Sequence, residues 1–320
     1  MKPKLILVGE TFLNGASPHH IPLFQQYFDI ESYDPLKTYT KDYTFMYRFD
    51  NQYERIAQYK EVGCKFIAEA LWELEFACDS NFDDQTIGLI NNVEHHRTIS
   101  VPKWFWFEEH HSQWGKKPVS LPYNYAKEKI FLMQIGAGTQ ARLSLWEQLE
   151  ARDLLKDSLH SFLDKGYGLE GPVANYKRTR TTFPQRNYVA DWYNKTVFSV
   201  ILEYSYLDRE YPAFITEKTC KPIMYGHPFI LYGATHSLKS LKDWGFETYD
   251  NWFDESYDDT TDLHMKIEHI CDEIARPTRE YDDVTKHKIN YNVERFWNRE
   301  LVHQLIVDEI IKPLLNFINS

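Results

Sequence analysis

Cysteine is scarce. The four in 320 residues, Cys64, Cys78, Cys220 and Cys271, are widely separated, and no Cys-x-x-Cys pair points to zinc or a redox centre. They read as reduced core thiols of an intracellular protein, and a cytoplasmic location is the expectation. Long apolar runs are missing too. Met1-Lys-Pro-Lys4 is basic, but Leu5-Ile-Leu-Val8 after it is far too short for the core of a signal peptide, and no stretch reaches the roughly 18 apolar residues of a membrane helix. Positive charge is in deficit, 36 Lys and Arg against 47 Asp and Glu, for a net charge of -11. That argues against affinity resting on a broad basic surface and leaves room for a local basic groove. Gly136-x-Gly138 lacks the third glycine of a dinucleotide fingerprint and is a weak signal alone.

What is present is core material: 43% of the chain is hydrophobic and 16% aromatic, and at this length two domains are the natural expectation. Leu5 to Val8, followed by Gly9, reads as the buried first strand of an α/β domain. Its carboxyl end meets a polar loop from Glu10 to His20, either a ligand-facing loop or a solvated one. A helix is expected near Ile21–Phe28, a strand at Thr86–Ile90, and either a strand or a helix at Lys65–Leu71. Trp104-Phe-Trp-Phe107, running into Glu108-Glu-His-His111, reads first as a strand buried on both faces. Its alternative is a sugar-stacking platform beside a catalytic base. His95-His96 and His110-His111 do not make a metal site, because adjacent histidines on a strand point apart and spacing places no third ligand.

Lys116-Lys-Pro118 to Pro122 suits a linker, which divides the chain into domains 1–122 and 123–300, with 301–320 as a C-terminal helix that either crosses back to the first domain or stays with the second. A second α/β opening follows: strand Lys129–Gln134, the Gly136-Ala-Gly138-Thr139 loop, and a helix Ala141–Ala151 with Leu143, Leu145, Trp146 and Leu149 on one face. Lys177-Arg-Thr-Arg180, continuing to Arg186, is a basic cluster that either meets phosphate or lies in a solvated loop. Helices are expected over Leu263–Ala275 and Val293–Ile318, the latter with a stripe of Leu301, Leu305, Ile306, Ile310, Ile311, Leu314 and Leu315.

The chain is organised around Phe214 to Gly233. Thr216 suits an N-cap, Pro222 is tolerated early in the helix, and Gly226 suits the left-handed position past its end. His227-Pro228 then breaks the helix, and Phe229-Ile-Leu-Tyr232 is a buried strand. Free N–H groups and the positive end of the helix dipole beside Lys218, with Lys221 one turn on, can hold a phosphate, and Glu217 can accept hydrogen bonds from sugar hydroxyls. An ordinary amphipathic helix with solvated charges is the plainer alternative.

Ile215-Thr216-Glu217-Lys218, followed after the helix by Gly226-His-Pro-Phe-Ile-Leu-Tyr-Gly233, resembles the donor-site signature of the alpha-1,3-fucosyltransferase family, in its soluble bacterial or phage form. The resemblance spans roughly residues 195–255. It departs from the family at Leu202-Glu203-Tyr204, where Phe-Glu-Asn is usual. It implies an α/β protein of the GT-B fold, two Rossmann-like domains facing a cleft, with C-terminal helices. It also implies an inverting, metal-independent transfer of a fucose-like sugar from a nucleoside diphosphate sugar such as GDP-fucose to a glycan acceptor, with no cofactor beyond the donor. By that resemblance Arg142 contacts donor phosphate and Thr216, Glu217 and Lys218 belong to the donor site, which Lys221 and Arg180 join as basic residues placed to meet phosphate. Glu94 and Glu108, with Glu10, are the candidate bases of the first domain. Nucleic acid enters only as an alternative acceptor, as in phage-type DNA-base glycosylation. A non-catalytic nucleotide-sugar-binding protein is the reading from another class. Asp258-Asp259 has the wrong spacing for the Asp-x-Asp metal site of the other glycosyltransferase fold.

Overall fold

Short apolar runs such as Leu5–Val8 and Phe229–Tyr232, bounded by polar or turn-forming residues, become strands of two sheets. The computed structural model describes residues 2–9, 11, 13, 20–48, 53–70, 83–90, 98–100, 117–168, 171–172, 190–203, 215–277 and 279–320. The chain divides into two units, Met1–Gln113 with Arg299–Ser320, and Trp114–Asn298.

The first unit carries strands β1 (Lys4–Val8), β2 (Asp29–Ser32), β3 (Tyr43–Arg48), β4 (Lys65–Ala70), β5 (Thr86–Ile90) and β6 (Thr98–Ser100). They lie in the order β2-β1-β3-β4-β5-β6, every pairing parallel. A parallel sheet is covered on both faces, which is why β1 is continuously apolar. Pleating puts Ile6, Val8, Phe45, Tyr47, Phe66 and Ala68 in one core with Tyr39 and Ile56. The alternate positions Leu5, Leu7, Met46, Ile67 and Glu69 therefore face the other way. Lys65–Ala70 resolves as strand. Helix α1 (Ile21–Phe24) is shorter than its sequence suggests, because the chain turns at Gln25–Tyr27 to enter β2.

Leu263–Ala275 is helical as expected, but Val293–Ile318 is not one helix. The chain breaks at Asn298, and the segment beyond it belongs to the first unit as a helix (Arg299–Ile306), a π turn (Val307–Ile311) and a last helix (Lys312–Asn319). Pro313 explains the π turn, since it has no N–H to give the carbonyl four residues back. Ile306, Ile310, Ile311 and Leu314 of the expected stripe are buried, together with Val302 and Val307. Lys65 Nζ donates to the Phe317 carbonyl at 2.5 Å, tying this segment to β4.

The second unit has β7 (Lys129–Ile135), β8 (Ser158–Phe162), β9 (Tyr167–Gly168), β10 (Gly171–Pro172), β11 (Thr196–Leu202) and β12 (Phe229–Tyr232), in the order β10-β9-β8-β7-β11-β12. The pairings of β8, β7, β11 and β12 are parallel, and those of β9 antiparallel. The glycine-rich stretch from Gly166 to Pro172 supplies β9 and β10. Helix α2 (Gln140–Ala151) joins β7 to β8, and Arg142 rather than Leu143 takes a buried place beside Leu145, Trp146 and Leu149. Helix α3 (Ala190–Lys195) leads into β11, and α4 (Glu217–Tyr225) lies between β11 and β12. Gly226 ends α4 at φ +70, and a Cβ there would lie 2.9 Å from Ile289 and Leu121 side chains, so glycine is required twice over. Helices α5 (Ser237–Asp243), α6 (Leu263–Ala275) and α7 (Asp283–Trp297) complete the unit.

Each sheet has one place where the chain leaves in opposite directions. In the second unit β7 connects through α2 to β8 on one side while β11 pairs on the other, so a crevice opens outside the carboxyl ends of β7 and β11. In the first unit the corresponding place is between β1 and β3. Ligands of open α/β sheets bind at such switch points.

Candidate functional site

The crevice of the second unit is built from three segments: the Gly136–Thr139 loop after β7, Glu203 after β11, and the start of α4. Arg142 joins the first two. Thr139 caps α2 by accepting the Arg142 backbone N–H at 3.4 Å. The Arg142 side chain then turns back over the strand ends. Its guanidinium donates to the carbonyls of Ala137 (3.0 Å), Leu202 (2.9 Å) and Glu203 (3.1 Å). It is 4% exposed, so Arg142 braces the crevice as well as charging it.

Glu203 joins the second segment to the third. Its carboxylate accepts from Thr216 N (2.9 Å), Thr216 Oγ1 (2.6 Å) and Thr219 Oγ1 (2.6 Å), and it is wholly buried. Sequence reasoning expects the first N–H groups of this helix to await a phosphate. The structure puts a protein carboxylate there instead, stabilised by the helix dipole. Thr216 takes up the rest of the first turn. Its hydroxyl faces the Lys218 N–H at 3.4 Å, and its carbonyl accepts from Thr219 at 3.2 Å and Cys220 at 3.4 Å. Positive charge for a ligand therefore comes from side chains.

Those side chains are Lys218 and Lys221. Lys218 Nζ pairs with Glu217 Oε1 at 2.9 Å, the two side chains 24% and 15% exposed, and also donates to Thr216 Oγ1 at 3.0 Å. Burial pushes the Glu217 carboxyl up, but the charges of Lys218 and Lys221 and the Lys218 hydrogen bond outweigh it and hold the group down at about 2. Lys221 is buried on the same helix. Burial lowers its ammonium to about 8, and the Lys218 charge adds to that against the opposing pull of Glu217. A carboxylate that stays ionised, flanked by two ammonium groups, can accept hydrogen bonds from hydroxyls while the lysines meet an anion.

Neighbouring polar groups are structural. At the carboxyl end of β12, Asp258 Oδ2 accepts from Leu238 N (2.8 Å) and Lys239 N (3.3 Å), capping α5, and burial pushes its carboxyl up to about 6. At the opposite end of the sheet His227 is sealed in: Nδ1 lies 2.7 Å from Ser199 Oγ, Nε2 lies 2.9 Å from the Thr196 carbonyl, and burial pushes the ring down to about 3. Asp254, His269 and Glu273 bring three potential metal-ligand atoms within 4.8 Å, but Glu273 is already neutralised by Arg276 (2.8 Å) and Arg279 (3.0 Å).

Of the residues expected from sequence, Arg142, Thr216, Glu217, Lys218 and Lys221 form this one cluster. Glu10, Glu94, Glu108 and Arg180 lie outside the described residues, as do the Trp104–Phe107 run and both histidine pairs. Two residues escape sequence reasoning. Glu203 is a lone carboxylate closing a seven-residue strand without a charged residue, and that isolation is the signal that could have singled it out. Glu69 is the other: 4% exposed at the carboxyl end of β4, in register with Arg48 and Leu89.

No protein-family model matches the chain, and no curated protein matches it. Two solved structures are similar over most of its length. The crystal structure of TarM is 12% identical, with 88% of this chain and 55% of that one covered at a TM-score of 0.44, so the chain spans little more than half of TarM. A crystal structure of an alpha1,3-fucosyltransferase is 11% identical, with 93% and 90% covered at a TM-score of 0.43. The second is of the kind that the Ile215–Lys218 segment resembles. Likenesses this distant carry no weight for activity.

Proposed function

We propose that the chain is a glycosyltransferase of the two-domain GT-B kind, moving a fucose-like sugar from a nucleoside diphosphate sugar to a glycan hydroxyl. The observation that carries this is the Glu217–Lys218 pair at the start of α4, anchored on Glu203 beside Arg142 at a sheet switch point. Lys218 and Lys221 neutralise the diphosphate as the glycosidic bond breaks, and protein cations in that place make a metal unnecessary for charge stabilisation. Glu217, ionised throughout the physiological range, holds hydroxyls of the donor sugar.

In an inverting transfer a carboxylate removes the proton of the acceptor hydroxyl as its oxygen attacks the anomeric carbon, and the diphosphate leaves from the opposite face. Glu94, Glu108 and Glu10 keep that role as sequence candidates. Glu69 joins them on its burial at the carboxyl edge of the first sheet. The test is Lys218→Ala. Transfer from the donor is expected to fall by about a hundredfold, the usual scale for losing one charge-stabilising group, with the melting temperature nearly unchanged. Near-normal transfer removes the role assigned to Lys218.

A further inference from the structure

Glu203 is the residue on which the segments of the crevice converge. Its N–H donates to the Tyr232 carbonyl at 2.9 Å, its own carbonyl accepts from Arg142 at 3.1 Å, and its carboxylate accepts three hydrogen bonds from Thr216 and Thr219. A wholly buried carboxylate is tolerated only while its partners are kept.

The donors and acceptors fix a direction. A hydroxyl has one hydrogen to give and two lone pairs. Thr216 gives its hydrogen to Glu203 Oε2 at 2.6 Å, an acceptor-only carboxylate, and so turns its lone pairs toward the Lys218 ammonium at 3.0 Å. Glu217 Oε1 holds the same ammonium at 2.9 Å. By accepting at Oε2, Glu203 sets the sense of the Thr216 hydroxyl, and that sense gives Lys218 its second anchor. Thr219, which meets Glu203 Oε1 at 2.6 Å, shares the carboxylate but has no place in this relay.

We propose that Glu203 is a positioning residue for Lys218, acting through the Thr216 hydroxyl to hold the ammonium where a diphosphate meets it. The proposal rests on reading this crevice as a diphosphate site. In Glu203→Gln an amide hydrogen competes with the ammonium for Thr216 Oγ1, and in Thr216→Val the relay is cut without loss of volume. Thr216→Ser keeps the hydroxyl.

The experiment measures two quantities in the full chain: affinity for ADP, GDP and UDP by calorimetry, and the rate of Lys218 reductive methylation read by mass spectrometry. Glu203→Gln and Thr216→Val are each expected to weaken the best-bound diphosphate about tenfold, the scale of one charge-assisted hydrogen bond, and to speed methylation of Lys218. Thr216→Ser restores both readouts. Thr219→Val lowers the melting temperature and leaves both within about twofold of the parent, because its hydrogen bond contributes to stability alone. Should Glu203→Gln not fold, the Thr216 pair decides. Unchanged Lys218 methylation in Thr216→Val, or an equal change in Thr219→Val, overturns the proposal and leaves Glu203 a stability residue. If the parent binds none of the diphosphates while methylation follows the expected order, the donor-site reading fails and the positioning role stands.

Discussion

Two lysines one turn apart have different characters because their surroundings differ. Lys218 is part-exposed and doubly hydrogen-bonded, whereas Lys221 is buried, and burial brings its ammonium from an ordinary 10.5 down to about 8. The depressed value has two consequences of opposite sign. Unfolding takes up a proton in the window between about 8 and 10.5, so on account of this group the free protein gains stability as pH rises there. A diphosphate prefers the protonated lysine, so its affinity is expected to fall as pH rises from 7 to 9. Calorimetry across that range checks it, and Lys221→Met should flatten the profile. Glu217, held at about 2 against an ordinary 4.5, adds no pH dependence between pH 7 and 9. At this scale the site was half legible. Thr216, Glu217 and Lys218 announce themselves by adjacency, since a cap, a carboxylate and an ammonium in consecutive places need no tertiary information. Glu203 does not, because its partners lie 13 and 16 residues further along the chain and local spacing carries no trace of that hydrogen bonding.

Among the elements, α4 shows how the residue types at both ends were readable. Thr216 caps it with extended backbone and Gly226 closes it in the left-handed region. The expectation is that Gly226→Ala costs about 2–3 kcal/mol, combining left-handed strain with a Cβ that must displace neighbours. The neighbours are side chains of Ile289, Val293 and Leu121, so the loss should appear in urea denaturation as a lower midpoint with an unchanged slope. A shift below about 0.5 kcal/mol, the scale of an ordinary surface change, contradicts this packing. The last helices were read less well. Their apolar stripe was visible, but the break at Asn298 and the π turn before Pro313 interrupt a periodicity that by itself runs on through both. Arg142 was expected in the site from the family resemblance. Its burial was not, since two of the carbonyls that make a buried guanidinium tolerable, those of Leu202 and Glu203, lie 60 and 61 residues away.

On the scale of the whole molecule, the sequence carried the architecture further than the chemistry. Two openings of apolar strand, glycine and polar loop, at Leu5–His20 and Lys129–Thr139, lead to two predominantly parallel six-stranded sheets, each with a switch point beside its opening strand. Strand order is not written in local spacing, and it is what places Arg142, Glu203 and Lys218 on one crevice. The central claim is that this crevice binds the diphosphate of a sugar nucleotide. The measurement that tests it most directly is thermal stabilisation of the full chain by a panel of nucleoside diphosphates and their sugars, with chelator present, for the parent and for Lys218→Ala. The account predicts stabilisation by one diphosphate, undiminished by the chelator and largely lost in Lys218→Ala. No stabilisation by any member of the panel, or equal stabilisation of both proteins, would contradict it.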